Sequence, residues 1–345
     1  MSDIIKVIVD RDDIVAIADA VRSKNGTTKE MTIGQIITGI EEISGGGDTS
    51  MEDRLVDGTI TEYVNDRVTS VKSYAFYECV PLTSINLPIC TSIGTSAFYD
   101  CTSLVSANFP ACTNIGEYAF CNCASLISAN FPACATINSY AFQSCSSLAS
   151  ANFPVCTNVG IYAFTDCTSL TSINFPVCTS VGNYAFQFCV NLMSANFPTC
   201  TRIGMYAFRS CYSLISTNFP MCTIIGSGGF YYTNITTADF PACKTVYAAA
   251  FQFCQSLKTV SLPACTKISG SYVFRSCYYL TALYLTGSTV CTLQYSNAFS
   301  STPIGGYSTS AGAYGYVYVP ASLLASYKAA TNWSYFSSRI LAYDA

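Results

Sequence analysis

The chain has 345 residues, half of them apolar and 10% charged, with a net charge of −4 and no histidine. Without histidine, Ser-His-Asp and Cys-His catalysis are excluded and the commonest zinc ligand is missing. No basic stripe invites nucleic acid, no apolar run of about 18 residues would span a membrane, and no basic stretch followed by an apolar one marks a secretory signal.

Residues 1–45 read as a small helical docking module. Asp12 caps a helix whose Ile14, Ile17, Ala18 and Val21 share one face, and Asn25-Gly26 ends it. Thr32 and Gln35 form a capping box for a second helix, Met31 staples onto Ile36, and Ile33, Ile36, Ile37, Ile40 and Ile43 make its stripe. Residues 4–9 are a candidate short strand. An αα-hairpin of this size has too little core, so a homo-oligomer or docking on a partner is expected. Residues 46–72 are a linker and N-terminal cap: a Gly-rich run, then the charges Glu52, Asp53, Arg54, Asp57, Glu62, Asp66, Arg67 and Lys72, a polar outer face for a solenoid end.

The opening resembles the N-terminal modules of tail-associated proteins of phages and prophages of Gram-positive bacteria. The likeness lies in Ile17-Ala18-Asp19-Ala20-Val21-Arg22, Lys24-Asn25-Gly26-Thr27-Thr28, Met31-Thr32 and Ile40-Glu41-Glu42-Ile43. It implies that other tail or baseplate proteins are partners of residues 1–45.

From residue 73 to about 300 a phrase restarts every 22 residues: Ile93-Gly94, Ala97-Phe98, Cys101, Leu104, Asn108-Phe109-Pro110, Cys112. The phenylalanine recurs from Phe76 to Phe230 without a slip and then less evenly at Phe251, Phe274 and Phe299. Such a period signals a mainly β repeat solenoid, each turn burying its apolar side on the next. Leu82, Ile85 and Leu87 give the strand pattern, Pro88 and its equivalents end the strand, and Gly94 and its equivalents mark the next turn. These units resemble the BspA-like leucine-rich repeats, a family associated with surface attachment and host recognition rather than with one enzyme activity. Gly228-Gly229-Phe230, with Thr233 in place of cysteine, and a lengthened unit before Phe299 depart from the pattern.

Residues 301–345 are expected to cap the solenoid, with an edge strand at 314–319, a helix at 321–330 after Pro320, and Trp333 over the last repeat.

Of twenty cysteines, all but Cys121 and Cys291 fall into two columns, one three residues after the phenylalanine and one after the strand. A thiol in a stacking column is a small buried apolar residue, so mostly reduced cysteines and no metal site are expected. Glu78, Asp100 and Asp166 share one repeat position and are read as solvated carboxylates, so no catalytic residue is assigned and no cofactor is expected. A glycan-cleaving enzyme is the least favoured reading. The Ser and Asn columns of the strands, Ser84 to Ser216 and Asn86 to Asn218, are read as structural ladders.

The positions that vary from copy to copy turn aromatic toward the C-terminal half. Phe188, Arg209, Tyr212, Tyr231, Tyr232, Phe253, Arg275, Tyr278 and Tyr279 are the candidate ligand-binding residues, since rigid tyrosine-rich surfaces recognise ligands at low ordering cost. The low charge favours a neutral glycan or a flat protein epitope. The chain thus reads as a non-enzymatic receptor-binding protein of a phage or prophage tail that attaches to a host surface glycan or protein. The alternative is a bacterial cell-surface adhesin or scaffold.

Overall fold

The structure, a computed structural model, describes residues 62–307 and 312–343. The two expected N-terminal helices, the strand at 4–9, the linker and most of the charged cap segment lie outside the described residues. What is described is a mainly β parallel solenoid of about 13 turns, divided after Phe153 into two compact units.

Each turn contributes two short strands. In the first unit Glu62–Val64, Ser84–Asn86, Ser106–Asn108, Ser128–Asn130 and Ser150–Asn152 pair in parallel, with Ser opposite Ser and Asn opposite Asn from Ser84 onward. A second ladder joins Ser70–Val71, Ser92–Ile93, Asn114–Ile115 and Thr136–Ile137. The first strand is shorter than the apolar pattern from Leu82 to Leu87 suggests. The Leu82 N–H turns back to Cys79 O at 3.2 Å, so the ladder starts only beyond it. Leu82, Ile85 and Leu87 are nonetheless all buried.

The third side of each turn, around the Ala-Phe pair, is built differently. Ser96, Phe98 and Asp100 donate their N–H groups to Glu117, Ala119 and Cys121 of the next turn at 2.7–2.9 Å. The residues between them, Ala97 and Tyr99, and then Cys101, donate back within their own turn to Gly94, Ser96 and Phe98. This alternation requires left-handed backbone at two positions four residues apart, and Ser96 (φ 52°) and Asp100 (φ 57°) adopt it. The same two columns recur through Tyr118 and Asn122, Tyr140 and Ser144, and Tyr162 and Asp166.

The core between these walls is two stacks of phenylalanine. Phe76, Phe98, Phe120 and Phe142 follow one another at 5.0–5.2 Å with rings within 9° of parallel. Phe109, Phe131 and Phe153 form the second stack, tilted about 60–67° against the first. Offset-parallel and edge-to-face contacts are the two favoured ring geometries, each adding about 0.5–1.5 kcal/mol beyond area burial.

All twenty cysteines are buried, and both columns also donate hydrogen bonds. Cys101, Cys123 and Cys145 donate from Sγ to Phe76 O, Phe98 O and Phe120 O at 2.9–3.1 Å. Cys90, Cys112 and Cys134 donate to the carbonyl two residues on, at 3.2–3.3 Å. The asparagine column makes an amide ladder: Asn108 donates to Asn86 and Asn152 to Asn130 at 2.7–2.8 Å.

In the second unit the same scheme continues through Ser172–Asn174, Ser194–Asn196 and Ser216–Asn218. There the three-residue ladder stops. A new sheet starts at Thr237–Asp239 and continues through Thr259–Ser261, Ala282–Tyr284, Tyr316–Pro320 and Ile340–Tyr343. The two-residue ladder runs on unbroken from Asn158–Val159 to Thr292–Leu293. The break falls on the turn shortened to 21 residues between Phe230 and Phe251.

The C-terminal strand is not an edge. Tyr316–Pro320 pairs on both sides, and Ile340–Tyr343, which no sequence signal marked, is the edge instead. A 3-10 turn, Ala321–Leu323, precedes the helix Leu324–Ala329, which is shorter than the expected 321–330. Trp333 is fully buried against Phe299, and its Nε1–H donates to Cys291 O at 2.6 Å.

Candidate functional site

The left-handed column that follows each repeat phenylalanine organises the candidate site. Most turns place a carboxylate or a small polar residue there: Glu78, Asp100, Asn122, Ser144, Asp166, Ser210 and Ser276. Asn, Asp and Ser suit this backbone because a short polar side chain bonds locally, whereas larger L-residues pay about 1–2 kcal/mol for it. Phe188 (φ 59°), Tyr232 (φ 57°) and Phe253 (φ 62°) are the aromatic exceptions. Tyrosine is common in the other left-handed column, where successive rings stack, as Tyr162 does on Tyr184 at 4.5 Å.

The exceptions cluster where the sheet breaks. Tyr232 stacks on Phe253 at 4.5 Å, and Tyr231 meets both edge-on, at 5.1 and 5.5 Å. Tyr212 approaches Tyr232 at 6.3 Å, with 53% of its surface exposed. The missing residue leaves a shallow recess of about 110 Å³ lined by Tyr212, Tyr232, Thr233, Asn234, Phe253 and Gln255. Thr233, in the cysteine position, is buried and donates to Phe230 O at 3.0 Å. Asn234 accepts at Oδ1 from Ser256 Oγ, which leaves its NH₂ as a donor.

Arg209 adjoins this cluster. Its guanidinium lies 5.5–5.7 Å from the ring centres of Phe188, Tyr206 and Tyr231. Its Nε is buried without a hydrogen-bond partner. Arg275 packs over Tyr272 at 4.8 Å. Burial pushes the Tyr231 hydroxyl above its ordinary pKa, and the two flanking arginines pull it partly back.

Of the nine candidate residues, Phe188, Arg209, Tyr212, Tyr231, Tyr232 and Phe253 are therefore contiguous. Arg275 flanks them, with its carbonyl accepting from Phe253 N–H at 2.9 Å. Tyr278 packs instead on Tyr307 of the cap at 5.7 Å, and Tyr279 is exposed. Sequence reasoning passed over Tyr206 and, as site residues, Thr233 (marked only as a departure from the cysteine column), Asn234 and Gln255. The signal for the last three was the 21-residue spacing itself, which opens the recess. Among the described residues no group of Cys, Asp and Glu is placed to hold a metal, and no helix is long and apolar enough to cross a membrane.

The repeat itself identifies the family. The sequence matches the BspA type leucine-rich repeat region in overlapping stretches, residues 69–193, 135–257 and 179–305. The chain belongs to the BspA-type leucine-rich repeat family. Similar solved structures include a leucine-rich repeat protein from Bacteroides ovatus, with 19% identity, covering 69% of this chain and 82% of that one, TM-score 0.41. A leucine-rich cell surface protein from Faecalibacterium prausnitzii has 20% identity over 66% and 79%, TM-score 0.34. The pneumococcal vaccine antigen PcpA has 13% identity over 84% and 78%, TM-score 0.44. No curated protein matches the chain.

Proposed function

We propose that the chain is a non-enzymatic attachment protein that recognises a surface ligand through the recess at Tyr212, Tyr232 and Phe253. One observation carries this reading. Aromatic residues occupy left-handed positions that other turns give to small polar residues, and they gather around the recess beside the shortened turn. Backbone strain of this kind persists where the surroundings over-determine it, and it clusters at binding sites. The solenoid holds the rings in place beforehand, so little ordering cost falls on binding.

The carrier is a phage or prophage tail, with residues 1–45 docking on other tail or baseplate proteins and the solenoid meeting a host glycan or protein. The support is the likeness of Ile17–Arg22, Lys24–Thr28 and Ile40–Ile43 to tail-associated modules. The second reading, an adhesin at a bacterial cell surface, is favoured by the family.

The test replaces Tyr232 and Phe253 with Asn, the residue that suits their backbone. Lost ring stacking and relieved backbone strain are each about 1 kcal/mol, so the melting temperature should stay within a few degrees. Binding to host cells should fall at least tenfold. Unchanged cell binding by the folded variant would refute the site. Loss of particle incorporation on removing residues 1–50, with the solenoid still folded, separates the tail from the adhesin.

A further inference from the structure

The overall charge of −4 conceals a division. Residues 154–345 carry eight Lys and Arg against three Asp, a net charge of +5, while residues 1–153 carry eight against seventeen acids, a net of −9. Of the three acids, Asp344 is beyond the described residues, and Asp239 lies in the strand Thr237–Asp239. Asp166 precedes Arg209 by two turns. Neither described carboxylate pairs with Arg209 or Arg275, whose contacts are with aromatic rings. The half-exposed guanidinium of Arg209 sits among three rings, and its Nε is buried with no acceptor. Such a group favours an anion that arrives from outside.

We propose that the ligand of this site is an acidic saccharide, a carboxylate-bearing sugar chain. The inference rests on the attachment reading and names its ligand class. A sugar ring packs into the recess on the faces of Tyr212 and Tyr232, while the Asn234 and Gln255 amides meet its hydroxyls. The chain then crosses Tyr231, and a neighbouring carboxylate reaches Arg209, with Arg275 on the opposite flank. Apolar ring faces with a few convergent polar groups are the usual make-up of a small-ligand site. The guanidinium discriminates acid from neutral sugar. This revises the expectation of a neutral glycan, which followed from the whole-chain charge.

The test uses the full chain and three probes: oligogalacturonate, its methyl ester and dextran, titrated by calorimetry at low and at 0.5 M salt. The methyl ester keeps the sugar backbone and removes the charge. Oligogalacturonate should bind, the ester at least tenfold more weakly and dextran more weakly still, with the acid's advantage shrinking in high salt. Arg209→Gln should remove that advantage, so that acid and ester bind alike. The fold should tolerate this variant, because Gln143, Gln187 and Gln252 occupy the same column. If Arg209→Gln fails to fold, Arg275→Gln should reduce the acid's advantage several-fold. Equal binding of acid and ester, or an advantage indifferent to both arginines, overturns the proposal. So does failure of the acid to bind when host cells are still bound and the Tyr232/Phe253 double variant releases them; that outcome leaves the attachment reading standing. If the double variant releases nothing, both readings fall.

Discussion

Cys101 Sγ lies 2.9 Å from the carbonyl oxygen of Phe76, 25 residues earlier, and donates to it. The same carbonyl accepts the Cys79 N–H at 3.2 Å, so the thiol uses its second lone pair. Cys189, Cys211 and Cys277 repeat the arrangement at 3.0–3.1 Å. The cysteine is thus both a small buried residue and a donor that ties one turn to the one before. Cys189→Ala removes volume and the donor together and is expected to lower stability by about 1–3 kcal/mol in urea unfolding. Cys189→Thr, the exchange the chain itself makes at Thr233, should cost less. An alanine variant as stable as the parent would refute the donor role.

Burial also governs thiol chemistry. Cys112, Cys178 and Cys200 are each pushed up to about 12, chiefly by desolvation. The thiolate is the reactive form, so at pH 8 these three thiols of the native chain should react with a thiol reagent only as fast as the fold opens. In denaturant all twenty cysteines should react quickly. A native burst from Cys112, Cys178 or Cys200 would contradict this.

Gly204 sits where the ladder leaves no room. A Cβ there would lie 2.5 Å from the Gly182 carbonyl carbon, a backbone atom that cannot turn away. The chain shows what a side chain does at this position. Where Asn138 stands in the glycine column, its N–H reaches Ile115 O at 3.3 Å, against 2.8 Å for Gly116 to Ile93. Gly204→Ala should stretch the Gly204 bond to Val181 in the same way and cost about 1–3 kcal/mol. Slower amide exchange at Gly204 in that variant would sink the argument.

The period was legible because stacking repeats it. Ile93, Phe98, Cys101, Leu104 and Phe109 recur since each must face its own copy in the next turn. The two-residue strand and the left-handed columns were not legible. They are backbone choices, and Tyr, Ser, Asp and Asn all occupy them, so composition leaves no single mark. The recess was half legible. Tyr212, Tyr232 and Phe253 stood out as aromatic, but the opening comes from an absent residue, which periodicity records only as a slip. The final strand Ile340–Tyr343 left no sign, because its exposed positions hold Leu341 and Tyr343, so no apolar-polar alternation marks it.

Whole periods should be removable. Deleting residues 119–140 takes out one 22-residue turn and brings Asn152 to the place Asn130 held beside Asn108. Repeat stability is roughly a sum of local terms, so the shorter chain should still fold cooperatively. Deleting 119–135 instead throws every following residue out of register and should abolish folding. Equal unfolding curves for the two deletions would argue against register as the organising constraint.

Asp166 offers a test with a definite sign. Its half-buried carboxyl is raised above the ordinary carboxylate pKa by desolvation. The folded chain therefore holds that proton to higher pH than the unfolded chain does, and stability falls as pH rises through this window. The contribution is fully present below the unfolded pKa and lost above the folded one. Asn122 occupies the same column at φ 60°, so Asp166→Asn keeps the backbone and removes the titration. The variant should be slightly more stable than the parent at pH 7, by no more than about 0.5 kcal/mol given solvent screening. The difference should vanish near pH 3. Thermal unfolding of both chains across pH 3–7 reads this directly. A variant less stable than its parent at pH 7 would mean that the carboxylate has a favourable partner in solution, and the desolvation argument would fail.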